Sequence, residues 1–196
     1  MILPIVAYGD PVLKKMGTPI TKEYPNLDTL IENMFETMYN AFGVGLAAPQ
    51  IGLPIRLFII DTTPFSEDDD LTLEERTALK DFKRVFINAK ITNEQGDVWA
   101  FNEGCLSIPD IREDVFRKPK LTIEYEDENF NKHVEDYEGL VARVIQHEYD
   151  HIEGILFTDK LSALKKRLIK GRLANISKGN INVEYRMRFP DQKKKR

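Results

Sequence analysis

Residues 140–154, "LVARVIQHEYDHIEG", read as a helix that follows Gly139 and closes at Gly154. His147 and His151 are four apart, so both imidazoles leave one face of that helix. Glu148, beside His147, reaches a water on a metal held there rather than the metal itself. The alternative is a pair of hydrogen-bonded core histidines, but the chain has only 3 His, and chance rarely sets two of them around a Glu in this order. A divalent ion needs a further protein ligand. The zinc-protease extension H-E-x-x-H-x-x-G-x-x-H holds through Gly154 and fails at Phe157, which cannot bind a metal. Glu184 sits in a strand-like stretch beyond a basic helix, a poor fit to a ligand on a neighbouring helix. Cys105, in "NEGCLSIP", offers a thiolate that with two imidazoles leaves one position open. A lone cysteine packed as an inert small hydrophobe is the competing reading.

Around this helix the patterning mixes strands and helices without βαβ alternation, which argues for an α+β fold. The expectation is small mixed or antiparallel sheets around a central metal-binding helix, with a basic C-terminal helix and a strand-like end. "PNLDTLIENMFETMYNAFG" places Leu27, Leu30, Ile31, Met34 and Met38 at helical spacing, with Gly43 as a stop. Residues 55–61 and 84–91 read as buried strands. Between them, residues 62–84 read as an acidic surface insertion containing a short helix over 73–81, started by the capping box of Thr72 and Glu75. "LTIEYEDENFNKHVEDYEG" alternates, turns near 129–131 and returns as a hairpin, leaving His133 on the surface. "SALKKRLIKGRLANIS" is a further helix, with Leu164, Leu168 and Ile169 expected to pack on the body, and "NINVEYRMRF" alternates like a strand.

At 196 residues the chain fits one domain, 1–196, able to bury its own core. No apolar run approaches the length of a membrane span, and "MILPIVAYGDP" lacks the basic start of a secretory signal. A single cysteine excludes an internal disulfide framework and fits a reducing, cytoplasmic setting. The net charge of −4 is unevenly distributed. Residues 160–196 hold 13 Lys and Arg against 2 acids, a net of +11; the other 15 basic and 30 acidic side chains leave residues 1–159 at −15. A basic end on an acidic body can meet a polyanion, or be a solvated tail.

Three stretches resemble the peptide deformylases: "GVGLAAPQ" (43–50), "EGCLS" (103–107) and "QHEYDH" (146–151), in the family's order and spacing. The resemblance extends over nearly the whole chain and departs at the acidic insertion and past Ser177. It implies a hydrolase that removes the formyl group from N-formylmethionine at the start of nascent polypeptides. It also implies Cys105, His147 and His151 as ligands of one divalent metal, with Fe2+ the physiological ion and Zn2+, Ni2+ or Co2+ possible in purified protein. Glu148 is then the general base and acid. The Gln50 side chain and the Leu106 backbone N–H face the oxyanion.

Gly43, Val44 and Gly45 suit a peptide pairing as an added strand; plain turn glycines are the alternative. Leu140 and Val144 are expected as apolar pocket walls, with the Arg143 stem beside them and its head in solvent. Gly104, beside Cys105, is included in the substrate site, and Arg112 matches a family position at the pocket rim. Glu103 is expected to pair with Arg117 and fix the loop bearing Cys105, against a solvated carboxylate. Competing functions are an HExxH metallopeptidase and an inactive ribosome-binding relative. Expected partners are N-formylmethionyl nascent peptides and, through the basic segment, ribosomal RNA, with no DNA and no membrane.

Overall fold

The alternation along 83–138 builds the body of the computed structural model, which describes residues 1–69 and 71–190. Strands β2 (Gly45–Ala47), β3 (Leu57–Asp61), β4 (Lys83–Gln95), β7 (Lys120–Glu126) and β8 (Lys132–Glu138) form an antiparallel sheet in the order β2-β3-β4-β7-β8. β3 is buried along its whole length, which is why it reads as an unbroken apolar run. Strands β5 (Trp99–Cys105) and β6 (Ile108–Arg117) make a separate hairpin, and β1 (Ile5–Val6) pairs in parallel with β9 (Met187–Arg188). The fold is α+β, with small sheets set around a central helix.

That helix, α3 (Gly139–Ile152), buries Val141, Ala142, Ile145 and Ile152 against Phe58, Phe86 and Ile123 of the five-stranded sheet. Phe58 and Phe86 stack with centroids 4.7 Å apart. Each of these side chains larger than alanine contributes about 1.5–3 kcal/mol by leaving water. Gly154 ends the helix with φ +73, and a Cβ there would lie 2.7 Å from the Lys14 carbonyl oxygen. Only glycine fits that left-handed, crowded position.

On the other face of the sheet, α1 (Leu27–Asn40) packs Leu27, Ile31, Met34, Phe35 and Met38. Its stop differs from expectation: Phe42, not Gly43, takes the positive φ (+55), and Gly43 N–H donates to the Met38 carbonyl. The Phe42 ring is left in solvent. Helix α4 (Ala163–Ser177) is anchored by Ile169, Leu173 and Ile176. Leu164 and Leu168, expected to pack, are 66% and 71% exposed. The 169/173/176 stripe covers the body, and the two leucines fall on the opposite side of the helix.

The 62–84 stretch is more than a solvated excursion. Its helix α2 (Leu73–Leu79) has the Thr72–Glu75 capping box, Leu79 is buried, and Phe65 and Leu71 pack on the core. Thr62 Oγ1 donates to the Leu79 carbonyl at 2.7 Å, closing the segment on itself. The strand-like end is short, pairing only over β9. The final "KKKR" lies outside the described residues. Among the described residues no helix is long and apolar enough to cross a membrane.

Candidate metal centre and catalytic cleft

Helix α3 places the His147 and His151 rings on one face with centroids 5.1 Å apart. The β5–β6 turn carries Cys105 to meet them. The ligand atoms of Cys105, His147 and His151 all lie within 4.8 Å of one another, with Cys105 Sγ 3.4 Å from His151 Nε2. Burial, then the nearby His147 and Arg117, holds His151 well below the usual imidazole range, so its ring is neutral with a lone pair to offer. Burial also acts to lower His147, but the Cys105 thiol and the Glu103 carboxylate outweigh it and push His147 up. The same negative neighbours that favour a proton there favour a divalent cation. The donor set therefore fits a metal: one thiolate and two imidazoles on three sides, open toward a cleft. Phe157, where a zinc protease would have its third histidine, stacks on the His147 ring at 6.2 Å.

Glu103 orients the His147 ligand. Its Oε2 accepts from His147 Nδ1 at 3.0 Å, which fixes the tautomer and leaves Nε2 for the metal. The same carboxylate accepts from Arg117 Nε (2.7 Å) and Nη2 (2.9 Å) and from Arg143 Nη1 (3.0 Å). Arg117 also reaches Asp150 at 2.6 Å. Burial would raise the Glu103 carboxyl, yet His147 and Arg117 hold it far below the ordinary carboxylate range. Arg143 departs from expectation. Its head is buried, 2% exposed, over the Trp99 ring at 4.4 Å, and it donates to the carbonyls of Val115 and Trp99.

Glu148 is 4% exposed, and its Oε2 has no hydrogen-bond partner although it lines the cleft. Burial pushes its pKa up to about 7 against the pull of His147. A buried, unpartnered acceptor with a pKa near neutrality suits proton transfer to and from a bound molecule. Gly45 makes room for it: a Cβ on Gly45 would lie 2.5 Å from Glu148 Oε1. Gln50 Oε1 accepts from the Ala47 N–H at 2.8 Å. That bond turns Nε2 toward Cys105 Sγ and Ser107 Oγ, each at 3.4 Å, as a donor beside the centre.

These groups open into a cleft of about 720 Å³. Gly43, Val44, Gly45, Gly104, Leu106, Arg112, Arg143 and Val144 line it. Leu140 does not, packing instead with the apolar core behind α3. Arg112 stays at the rim, bonded to Asn102 through Nε (3.0 Å) and Nη2 (2.6 Å). Sequence reasoning missed Phe65, Phe101 and residues 182–185 in the lining. The alternation of "INVEYRMRF" was the available signal for the last of these.

The polypeptide deformylase family model matches residues 2–167. A protein of Christiangramia forsetii named peptide deformylase is 68% identical over 196 residues, covering 100% of both chains. One of the same name from Flavobacterium johnsoniae is 67% identical, again over 100% of both. The crystal structure of a peptide deformylase from Legionella pneumophila superposes with a TM-score of 0.77 at 36% identity, covering 92% of this chain and 98% of that one. The peptide deformylase from Thermus thermophilus gives 0.77 at 38% identity, over 91% and 99%.

Proposed function

The chain belongs to the polypeptide deformylase family, metal-dependent hydrolases that remove the formyl group from nascent peptides, and from that premise we propose which of its residues carry the reaction. Cys105, His147 and His151 hold one divalent ion. The observation that carries this reading is the convergence of their three donor atoms within 4.8 Å beside an unpartnered Glu148 oxygen. A divalent metal held there would supply a Lewis acid for the formyl carbonyl and would lower the pKa of a water toward neutrality. A thiolate with two imidazoles suits Fe2+, Zn2+, Ni2+ or Co2+ alike, and the resemblance to the deformylases is what favours Fe2+ as the physiological ion.

The protein groups do the remainder. Substrate enters along the open edge of β2. The Asp61 N–H donates to the Val44 carbonyl, so alternation turns the polar groups of Gly45 away from β3 toward the cleft. A peptide adding there as a strand is held by its main chain, which leaves its sequence largely free. Val44 and Val144 supply apolar surface for the methionine side chain, and Gly104 and Arg112 border the rest of the peptide. Glu148 accepts a proton from the attacking water and passes it to the leaving amine. Gln50 Nε2 and the Leu106 N–H donate to the developing oxyanion. Glu103 and Arg117 hold His147 and the Cys105 strand in register, with Arg143 on the same carboxylate.

The expected setting is the cytoplasm, where formylated chains leave the ribosome. The basic C-terminal segment is the proposed contact to ribosomal RNA. The direct test is hydrolysis of formyl-Met-Ala with metal analysis on the same samples. Cys105→Ala is expected to lose the metal and nearly all activity. Glu148→Ala is expected to keep the metal and lose kcat by about 10²-fold or more. Full metal content in the first variant, or near-normal turnover in the second, would overturn the assignment. Cleavage of internal peptide bonds instead of the formyl amide would favour a metallopeptidase.

A further inference from the structure

Residues 182–185 lie beyond the 2–167 stretch that the family model matches, yet all four line the cleft with His147 and Glu148. The segment is extended. Ile181, Val183, Tyr185 and Met187 are partly buried, while Asn182, Glu184, Arg186 and Arg188 are exposed, the period of two of a strand. It is tied down just beyond the cleft, where the N–H groups of Ile5 and Ala7 donate to the Arg186 and Arg188 carbonyls at 2.9 Å each.

Tyr185 packs against the core of α1 and β3, and its hydroxyl donates to the Leu106 carbonyl at 2.7 Å. Leu106 and Ser107 are the two turn residues between Cys105 and Ile108. The Ser107 carbonyl in turn accepts from the Tyr8 N–H at 2.8 Å. Both carbonyls of the turn that presents the thiolate are therefore pinned, one from each end of the chain. A turn with neither pin would rock, carrying the Leu106 N–H and Cys105 Sγ with it.

We propose that residues 182–185 are a working part of the substrate site. Tyr185 is a positioning residue: it fixes the Leu106–Ser107 peptide through the Leu106 carbonyl and so limits rotation of the adjoining Cys105–Leu106 peptide, whose N–H faces the oxyanion. Val183 is an apolar wall for peptide residues beyond the one that follows methionine; a cleft of about 720 Å³ has room for several residues. The substrates it favours are formylated peptides of three or more residues. The inference rests on the reading that the Leu106 N–H and Gln50 face the oxyanion.

Tyr185→Phe keeps the ring and removes only the hydroxyl. It is expected to lower kcat on formyl-Met-Ala about fivefold, the weight of one hydrogen bond, with KM within about twofold and metal content and circular dichroism unchanged. An unchanged kcat overturns the positioning role. Val183→Asp is expected to raise KM for a formylated tripeptide about fivefold more than for formyl-Met-Ala. An equal change on both substrates overturns the wall. Gln50→Leu separates this inference from its premise. If it loses about 10² in kcat while Tyr185→Phe loses nothing, only the role of the C-terminal segment falls. If Gln50→Leu retains full kcat, the oxyanion reading falls instead.

Discussion

At the scale of one residue, the absence of a side chain at position 45 matters as much as the presence of one at 148. Gly45 and Glu148 come from a strand and a helix that face each other, and a Cβ on Gly45 would lie within 2.7 Å of three Glu148 side-chain atoms. Glu148 is buried on a packed helix, so an added methyl group must turn its carboxylate away from the cleft. Gly45→Ala is therefore expected to retain the metal, because no ligand is touched, and to lose kcat by about 10²-fold, close to the loss from Glu148→Ala. Steady-state kinetics beside metal analysis checks this; normal turnover would mean the carboxylate can rotate without consequence. In the sequence, position 45 was read as room for an added peptide strand, with a plain turn glycine as the alternative. That the approaching group is the proposed base was not legible, because the contact joins residues about a hundred apart in sequence.

The elements explain why some of the site could be read from the chain and some could not. Helix α3 was legible because its metal face and its apolar face each repeat at helical spacing. The β5–β6 hairpin left no such pattern: its inward positions include the charged Glu103 and Arg117, whose pairing the sequence offered beside a solvated carboxylate, and the structure joins them. Arg143 misled because its charge reads as solvated until the tie to the same carboxylate is seen. A buried arginine makes sense only with Glu103, two carbonyls and the Trp99 ring around it. Arg143→Met should therefore destabilise the fold by about 3 kcal/mol, the lower end for a broken buried pair because Glu103 keeps Arg117. Urea denaturation measures it, and a loss below about 0.5 kcal/mol would mean the arginine is dispensable to the hairpin. The β7–β8 hairpin gives a pH test. Burial raises Asp127, but hydrogen bonds from His133, Asn131 and the Asn129 and Asn131 amides outweigh it and bring its pKa to about 2. A depressed folded pKa stabilises above the unfolded value of 3.8, and that stabilisation is lost as pH falls toward about 2. Asp127→Ala should cost about 1 kcal/mol near neutral pH, and the gap to the parent should shrink below about pH 4. Urea titrations at about pH 6 and about pH 3 compare the two, and a constant gap would show that the carboxylate charge contributes nothing to the turn.

At the scale of the whole molecule, the opposition between an acidic body and a basic end is partly spent inside the fold. Lys165 pairs with Glu113 at 2.9 Å, Lys166 Nζ donates to the Asp159 carbonyl at 2.7 Å, and Arg172 donates to the Asp110 carbonyl. Those cations hold α4 on the body and are poor probes of an outside partner. Arg167 and Lys170 are exposed and have no partner among the described residues; they lie on consecutive turns of the helix, with Arg167 one turn beyond the exposed Leu164. The outer side of α4 therefore presents two unspent positive charges on consecutive turns, while the acidic body repels a polyanion and orients the encounter. If it docks on ribosomal RNA, Arg167→Glu with Lys170→Glu should lower co-sedimentation with ribosomes by about tenfold and flatten its dependence on salt, since each lost phosphate contact removes nearly one unit of slope. Hydrolysis of formyl-Met-Ala should stay within about twofold of the parent, because neither residue lines the cleft. Reversal at Lys165, by contrast, should weaken the fold through Glu113 before it changes binding. Co-sedimentation that persists unchanged in the double variant, with its salt dependence intact, would remove this face of α4 as the anchor.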